Sequence, residues 1–202
     1  SAEGRAVLLY HVEKMNEESA NALLKVMEEP PEGVLFLLTA DSLASVLPTI
    51  RSRCVSFAVA PVSPADCTRY CAAQGVDKKT AALYSELFDG HIGTVLAVAR
   101  DEARAAQVEK ALELARAAAA RDSYTAAVLL AAYEKDKAAA SALLTDFRAV
   151  AAAGLRSSPR APVQGTQARQ AVRLADAALQ RLGAQVNPKV VLSVFAAKLR
   201  TL

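Results

Sequence analysis

Few side chains in this sequence have the types and spacing that acid–base or nucleophilic chemistry requires. His11 and His91 could exchange protons, but neither has a partner carboxylate at a recognisable spacing, so an ordinary core or surface role is favoured. Glu28 and Glu29 form a carboxylate pair at the end of a predicted helix, where a contact with a loop or another subunit is favoured. The sequence contains neither G-x-S-x-G nor G-x-x-x-x-G-K-[ST], so it predicts no nucleophile elbow and no phosphate-binding loop.

Three cysteines, Cys54, Cys67 and Cys71, could in principle form a disulfide or bind a metal ion. An odd count without an export signal predicts reduced thiols in a cytosolic protein. Cys67 and Cys71 could share one face of a helix, but a structural zinc site needs four ligands and neither histidine is near them in the sequence. We therefore expect no metal site in this chain.

The composition is that of a globular protein. Of the 202 residues, 53% are hydrophobic and 22% are charged, which excludes wholesale disorder. No uninterrupted apolar run approaches the roughly 20 residues of a membrane span, and the first residues lack the pattern of a signal peptide. We expect a soluble, cytoplasmic protein without a membrane partner.

The net charge of +3 is distributed unevenly. Residues 1–60 carry five Lys or Arg against eight Asp or Glu, whereas residues 149–202 carry eight basic residues and one acid, Asp176. A basic segment can bind nucleic acid or an acidic partner. A solvated helix face explains the same pattern and is the favoured interpretation.

The first sixty residues combine strand and helix patterns. Residues 6–10 and 34–38 are short apolar runs typical of buried parallel strands, and residues 55–59 alternate as an edge strand does. Asn16 precedes two acids and an apolar stripe, which predicts the start of a helix between the first two strands. Three strands and one good helix cannot cover both faces of a sheet, so we expect the second half of a larger α/β domain.

From residue 61 onward the sequence predicts helices alone. Pro61 and Pro64 mark a linker, and Arg121–Ser123 interrupts an alanine-rich helix, which suggests a new domain. The predicted helices cover residues 65–74, 77–88, 91–118, 123–134, 136–156, 164–183 and 188–200.

Two motifs are specific. N-A-L-L-K-V-M-E-E-P-P begins at Asn21, and L-P-T-I-R-S-R-C ends at Cys54. In this order and spacing they resemble the AAA+ core of the clamp-loader subunits of bacterial DNA polymerase III, whose signatures read NALLKxLEEPP and LPTIxSRC. The run N-P-K-V-V-L from Asn187 resembles the end of the collar domain in the delta-prime members of this family.

The resemblance implies a fold class, an α/β partial AAA+ core with a short parallel sheet followed by mostly α lid and collar domains. It also implies that the chain corresponds to the C-terminal part of such a subunit, without the first half of the AAA+ core. The implied domains are the second half of the core over residues 1–60, a three-helix lid over residues 61–119 and a helical collar for oligomerisation over residues 120–202.

The resemblance further implies that this chain has lost its own hydrolytic site. In the ATPase members an Asp-Glu pair, the Walker B acids, holds Mg²⁺ and orients water, and the equivalent positions here are Tyr10 and His11. Neither side chain replaces a carboxylate on Mg²⁺. Glu13 comes two residues later, and strand alternation predicts that it does not point at the same spot.

The sensor positions of the family fit the same interpretation. The sensor 1 position falls on Thr39 or Ala40, where a threonine hydroxyl could still bind a phosphate or a water molecule. The sensor 2 arginine of active members is missing, because Thr94 occupies that region and no arginine follows until Arg100.

Arg53 is the functional residue that the resemblance implies most strongly. In the family, the arginine of the S-R-C motif is an arginine finger, which reaches ATP bound by the neighbouring subunit, and Ser52 and Cys54 would position it. A guanidinium group suits this role because it is permanently charged and offers a planar fork of donors to phosphate oxygens.

The function implied is that of a non-hydrolysing stator in the replicative clamp loader. It would supply Arg53 in trans and a collar for ring assembly, with gamma/tau ATPase subunits and the delta subunit as partners and with the sliding clamp and primer–template DNA as indirect ones. No cofactor would be bound by this chain, since ATP and Mg²⁺ belong to the neighbouring site. The alternatives are a gamma/tau-type ATPase subunit, a helical nucleic-acid-binding module and a paralogue outside replication.

Overall fold

The computed structural model describes residues 4–60 and 62–202, so Pro61, one of the two predicted linker prolines, lies outside the described residues. The described chain forms two compact units, over residues 1–59 and 60–202. Each unit has its own hydrophobic core.

The first unit contains a two-stranded parallel sheet. Strand β1 is Arg5–Leu9 and strand β2 is Val34–Leu38, and Arg5 pairs with Val34 in register. These are the first two predicted strands. Parallel neighbours need a crossover connection, and the helix between the two strands supplies it.

The predicted third strand is absent. Residues 55–59 are described and have no strand structure, and Val55 and Phe57 are 82% and 84% exposed. Alternation of apolar and polar residues reports which side chains could face a core, whereas a strand also needs a partner for its backbone groups. No described strand supplies that partner.

Helix α1, Glu17–Glu28, begins where the sequence predicts. The side chain of Asn16 accepts a hydrogen bond from the Ser19 backbone N–H at 2.8 Å, and two acids occupy the first turn. A four-residue helix α2, Pro48–Arg51, follows β2. The small core of this unit consists of Val12, Ala20, Leu23, Val46 and Ile50.

The second unit is helical. Its helices are α3 Pro64–Ala73, α4 Lys78–Leu87, α5 Ile92–Arg100, α6 Glu102–Ala120, α7 Ser123–Ala131, α8 Lys137–Leu155, α9 Gly165–Gly183 and α10 Pro188–Leu199. Six of the seven predicted helices are confirmed within a few residues. The predicted helix over residues 91–118 is wrong as a single helix, because the chain breaks at Asp101, whose side chain caps α6 by accepting from the backbone N–H groups of Ala103 and Arg104.

One continuous core runs through residues 60–202. Buried residues of α3–α6 and of α7–α10 belong to the same cluster, in which Phe147 and Phe195 meet edge to face with ring centroids 5.4 Å apart. Helix α6 packs on both α7 and α8. Because of the break at Asp101, the predicted lid segment, residues 61–119, contains α3, α4, α5 and most of α6, four helices rather than three. Its separation from a collar over residues 120–202 stays a prediction.

Helix α8 is long and apolar enough, by length and composition, to cross a membrane. Half of its most apolar 18-residue window is buried within the structure, where it packs against α6 and α9. Its apolar character thus serves the core of the second unit, as in the central helix of many helical proteins.

Candidate functional site

The S-R-C segment forms a tight turn after α2. The backbone N–H of Arg53 donates to the carbonyl oxygen of Ile50 at 3.1 Å, and the N–H of Cys54 donates to that of Arg51 at 3.3 Å. Ile50 is 1% exposed and Cys54 is half-buried against the same core. Apolar anchors on both sides of the turn hold its backbone while the Arg53 side chain points outward.

The Arg53 guanidinium is held by two separate parts of the chain. Its Nη2 lies 2.6 Å from Oε1 of Glu28, the last residue of α1, and its Nη1 donates to the carbonyl oxygen of Thr49 at 3.1 Å. The side chain remains 37% exposed. A group that is ordered and still open to solvent can meet an anion from outside the unit.

Ser52 and Cys54 flank the arginine in different ways. The Ser52 hydroxyl donates to the Thr49 carbonyl oxygen at 2.9 Å and lies 3.5 Å from Nη1 of Arg53. Burial raises the pKa of the Cys54 thiol, which keeps it protonated and unreactive at neutral pH. The positioning of Arg53 by Ser52 and Cys54 stays a prediction. Ser52 would act through its hydrogen bond to Thr49 and its proximity to Nη1, and Cys54 through its packing on the core.

The two strands bring Tyr10, His11 and Thr39 to one edge of the sheet. Thr39 follows β2, and its N–H donates to the Leu9 carbonyl oxygen at 2.9 Å; its hydroxyl accepts from the His11 N–H at 3.2 Å. Tyr10 is 69% exposed. The positions predicted to correspond to the Walker B acids, Tyr10 and His11, thus lie beside Thr39, the predicted sensor 1 position.

The expectation that Glu13 does not point at the Walker B position stays a prediction, but the strand alternation on which it rested does not hold here. Strand β1 ends at Leu9, His11 has φ +56°, and a 3₁₀ turn over Val12–Lys14 carries Glu13 back toward the His11 ring. Its Oε1 lies 3.2 Å from Nδ1 of His11. Strand alternation does not apply to residues beyond the end of a strand, so the direction of the Glu13 side chain is set by the 3₁₀ turn instead.

Asp41 completes a small polar group with His11 and Glu13. Oδ1 of Asp41 lies 3.6 Å from Nδ1 of His11. The backbone amide of Glu13 itself, and then the His11 ring, hold the pKa of the Glu13 carboxyl below its ordinary value. This outcome is expected when hydrogen bonds favour the ionised form.

Among the described residues, this group of His11, Glu13 and Asp41 is the one set whose potential metal ligands lie within 4.8 Å of one another. One imidazole and two carboxylates suit a transition metal such as Zn²⁺ or Mn²⁺. However, the side chains of His11 and Asp41 are 50% and 74% exposed, so water competes for the same positions. The expectation of no metal in this chain stays a prediction.

Thr94, the predicted sensor 2 position, is exposed on α5 and lines a shallow pocket. Two arginines distant in the sequence, Arg148 and Arg156, line the same pocket. Nε of Arg148 lies 2.6 Å from Asp176 and Nε of Arg156 lies 3.1 Å from Asp89. No sequence signal points to these cations, because tertiary packing, including that of α8 against α4, brings residues distant in the sequence to the pocket that Thr94 lines.

Comparisons with known proteins find similarity mainly over the first unit. Residues 1–63 match the family described as "DNA polymerase III, delta subunit". Over 66 residues, the chain is 44% identical to the DNA polymerase III subunit delta′ of Yersinia pestis, a match covering 33% of this chain and 19% of that protein. Over this segment the chain is similar to delta-prime subunits of DNA polymerase III.

The chain is also similar to gamma-type proteins of DNA polymerase III. It is 37% identical over 62 residues to the DNA polymerase III subunit gamma of Buchnera aphidicola, covering 31% of this chain and 17% of that protein. A solved structure, a gamma subunit-related protein from Thermotoga maritima, aligns with a TM-score of 0.53 at 19% identity, over 100% of this chain and 74% of that one. This likeness confirms the fold class, a partial α/β core followed by helical domains. The matched segments span about a fifth of the curated relatives or less.

Proposed function

We propose that this chain acts as a clamp-loader subunit of DNA polymerase III, and that it supplies Arg53 as an arginine finger to ATP bound by a neighbouring subunit. The observation that carries the proposal is the Arg53 guanidinium, which is anchored by Thr49 and Glu28 and remains 37% exposed. A permanently charged planar fork in this state suits phosphate oxygens.

The stator role, in which the chain hydrolyses no ATP itself, is supported by the edge of its own sheet. Tyr10 and His11 occupy the positions where the ATPase members of the family carry Mg²⁺-binding acids. The carboxylates nearby, Glu13 and Asp41, are engaged by the His11 ring instead. ATP and Mg²⁺ would be bound by the neighbour, and this chain would hold no cofactor.

The proposed partners are the gamma/tau ATPase subunits and the delta subunit. The helices over residues 120–202 would form part of the collar that closes the ring. The sliding clamp and primer–template DNA would be indirect partners in the cytoplasm.

A gamma/tau-type ATPase is the second candidate, favoured by the identity to a gamma subunit over 62 residues. The missing acids at Tyr10 and His11 count against it. A helical nucleic-acid-binding module is less favoured, because several cations of the basic segment are paired within the fold, including Arg156 with Asp89 and Arg160 with Glu86.

The proposal is tested with Arg53→Ala in the complete protein, assembled with its cognate loader subunits. We expect slower clamp-stimulated ATP hydrolysis with unchanged assembly, measured by phosphate release and by light scattering after size exclusion. At the ATP site that Arg53 faces, the loss should be on the order of 10³-fold or more. Arg51→Ala is the matched control, since Arg51 is exposed, lies two residues away and carries the same charge. Equal turnover in both variants would remove the finger assignment.

A further inference from the structure

We propose that Glu28 is a positioning residue for Arg53, and that it orients the guanidinium before the neighbouring nucleotide arrives. The inference rests on the proposed function of Arg53. It assigns a role to the first acid of the E-E-P-P motif, which the sequence alone left as a loop or subunit contact.

The contact joins the two specific motifs of the sequence. Glu28 closes α1 and Arg53 follows α2, 25 positions later in the chain. Their 2.6 Å separation is that of a charge-assisted hydrogen bond. Glu29, the next residue, is exposed and makes no ion pair with any described residue, so the two acids of the motif differ in their surroundings.

The geometry leaves part of the guanidinium available. Glu28 engages Nη2 and the Thr49 carbonyl engages Nη1, whereas Nε makes no hydrogen bond to any residue that the structure describes. A guanidinium has five N–H donors in a rigid plane, so two anchors fix its orientation without using all of them. The remaining donors can meet phosphate oxygens.

The physical benefit of the contact is preorganisation. Both side chains are partly exposed, at 37% and 52%, and exposed ion pairs contribute little to folding stability. A free arginine side chain samples many rotamers, and it loses this conformational entropy when it binds in a single geometry. Holding the group in place beforehand reduces that loss, which is how positioning contacts accelerate reactions.

The test compares Glu28→Gln with Glu29→Gln, each alone and combined with Arg53→Ala, in the complete protein within the assembled loader. Both substitutions remove one negative charge from neighbouring positions at the same helix end. We expect Glu28→Gln to slow single-turnover ATP hydrolysis about two- to fivefold, on the scale of one exposed ion pair. ATP affinity, assembly and melting temperature should match those of Glu29→Gln.

The combined variants separate positioning from a general structural effect. If Glu28 acts through Arg53, Glu28→Gln causes no further loss once Arg53 is alanine, whereas a structural role predicts the same fractional loss in both backgrounds. Equal rates for Glu28→Gln and Glu29→Gln, or faster hydrolysis in Glu28→Gln, would overturn the positioning role while leaving the finger in place. Unchanged hydrolysis in Arg53→Ala would instead overturn the proposed function and, with it, the role of Glu28.

Discussion

Arg104 on α6 binds Asp146 on α8 through two parallel hydrogen bonds of 2.5 Å each. Gln107 donates a third hydrogen bond to the same carboxylate at 3.0 Å, and Asp146 is only 2% exposed. Hydrogen bonding to Asp146 raises the pKa of Arg104 further above its already high value. This pair joins α6 of the predicted lid to α8 of the predicted collar, beside the core that both helices share.

Arg104→Ala should therefore destabilise the chain strongly. The substitution leaves the Asp146 carboxylate buried with one neutral partner, and breaking such a pair costs about 3–5 kcal/mol of unfolding free energy. Arg148→Ala is the control, because its partner Asp176 is 44% exposed and an exposed pair contributes about 0–1 kcal/mol. Urea denaturation followed by circular dichroism measures the unfolding free energy of both variants. Equal losses of unfolding free energy would contradict the role of the buried pair.

The buried thiol of Cys71 makes folding stability depend on alkaline pH. Burial, and then the neighbouring Cys67, raise the pKa of Cys71 from the usual 9.0 of a cysteine thiol to about 11. Well below pH 9 this thiol is protonated in both states, whereas between pH 9 and about 11 it is ionised mainly in the unfolded state. The unfolding free energy should thus fall over this interval.

Cys71→Ala isolates that contribution from other groups that titrate at alkaline pH. The drop in unfolding free energy between pH 8 and pH 10.5 should be smaller in the variant than in the parent chain, as measured by urea denaturation. Cys54→Ala, at a half-buried position, provides the comparison. A pH dependence that Cys71→Ala leaves unaltered would show that this thiol ionises equally in both states.

Gly154 allows α8 to approach the loop before α9. A Cβ atom at this position would lie 1.9 Å from the carbonyl oxygen of Val163, which is a backbone atom that cannot rotate away. Gly154→Ala should lower the unfolding free energy by about 1–3 kcal/mol, the usual cost of overpacking. Gly183→Ala on α9 should instead have no cost or a gain of about 0.5–1 kcal/mol, since nothing lies within 4 Å and alanine favours helix. Thermal unfolding of the two variants tests the difference, and a similar shift in both would refute it.

Local signals in the sequence predicted much of this fold. Asn16, which predicts the start of α1, caps that helix, and Asp77 and Asn187 cap α4 and α10 with the same kind of side-chain hydrogen bond. Such signals involve only neighbouring residues, so a single sequence contains them. Asp101 carried the same signal inside an apparently continuous helix, and the abundance of alanine on both sides concealed the break.

Features that depend on distant residues could not be predicted in this way. The Arg53–Glu28 contact joins residues whose helix and turn are brought together by packing around Ile50, and neither sequence motif reports it alone. The return of Glu13 to His11 depends on where β1 ends, which is set by pairing with β2. The position of Arg53 within its motif was available from the sequence, whereas its anchors were not.

The last prediction concerns the edge of the sheet and separates a stator from an ATPase. If His11 holds no Mg²⁺ and takes no part in hydrolysis, His11→Asn in the complete protein should leave the ATP turnover of the assembled loader unchanged. Asparagine is the suitable replacement because His11 has φ +56°, a left-handed conformation that asparagine tolerates better than most residues. The substitution takes the imidazole away from Glu13 and Asp41, so a catalytic site built on these three side chains would hydrolyse ATP more slowly.

The same assay with Arg53→Ala supplies the positive comparison, since that variant should slow hydrolysis under identical conditions. Phosphate release at saturating ATP measures both, with light scattering to verify equal assembly. A loss of about tenfold or more in His11→Asn, equivalent to about 1.4 kcal/mol of transition-state stabilisation, would mean that this edge contributes to catalysis. The gamma/tau-type ATPase would then replace the stator as the better account of the chain, because a non-hydrolysing subunit has no step that depends on this imidazole.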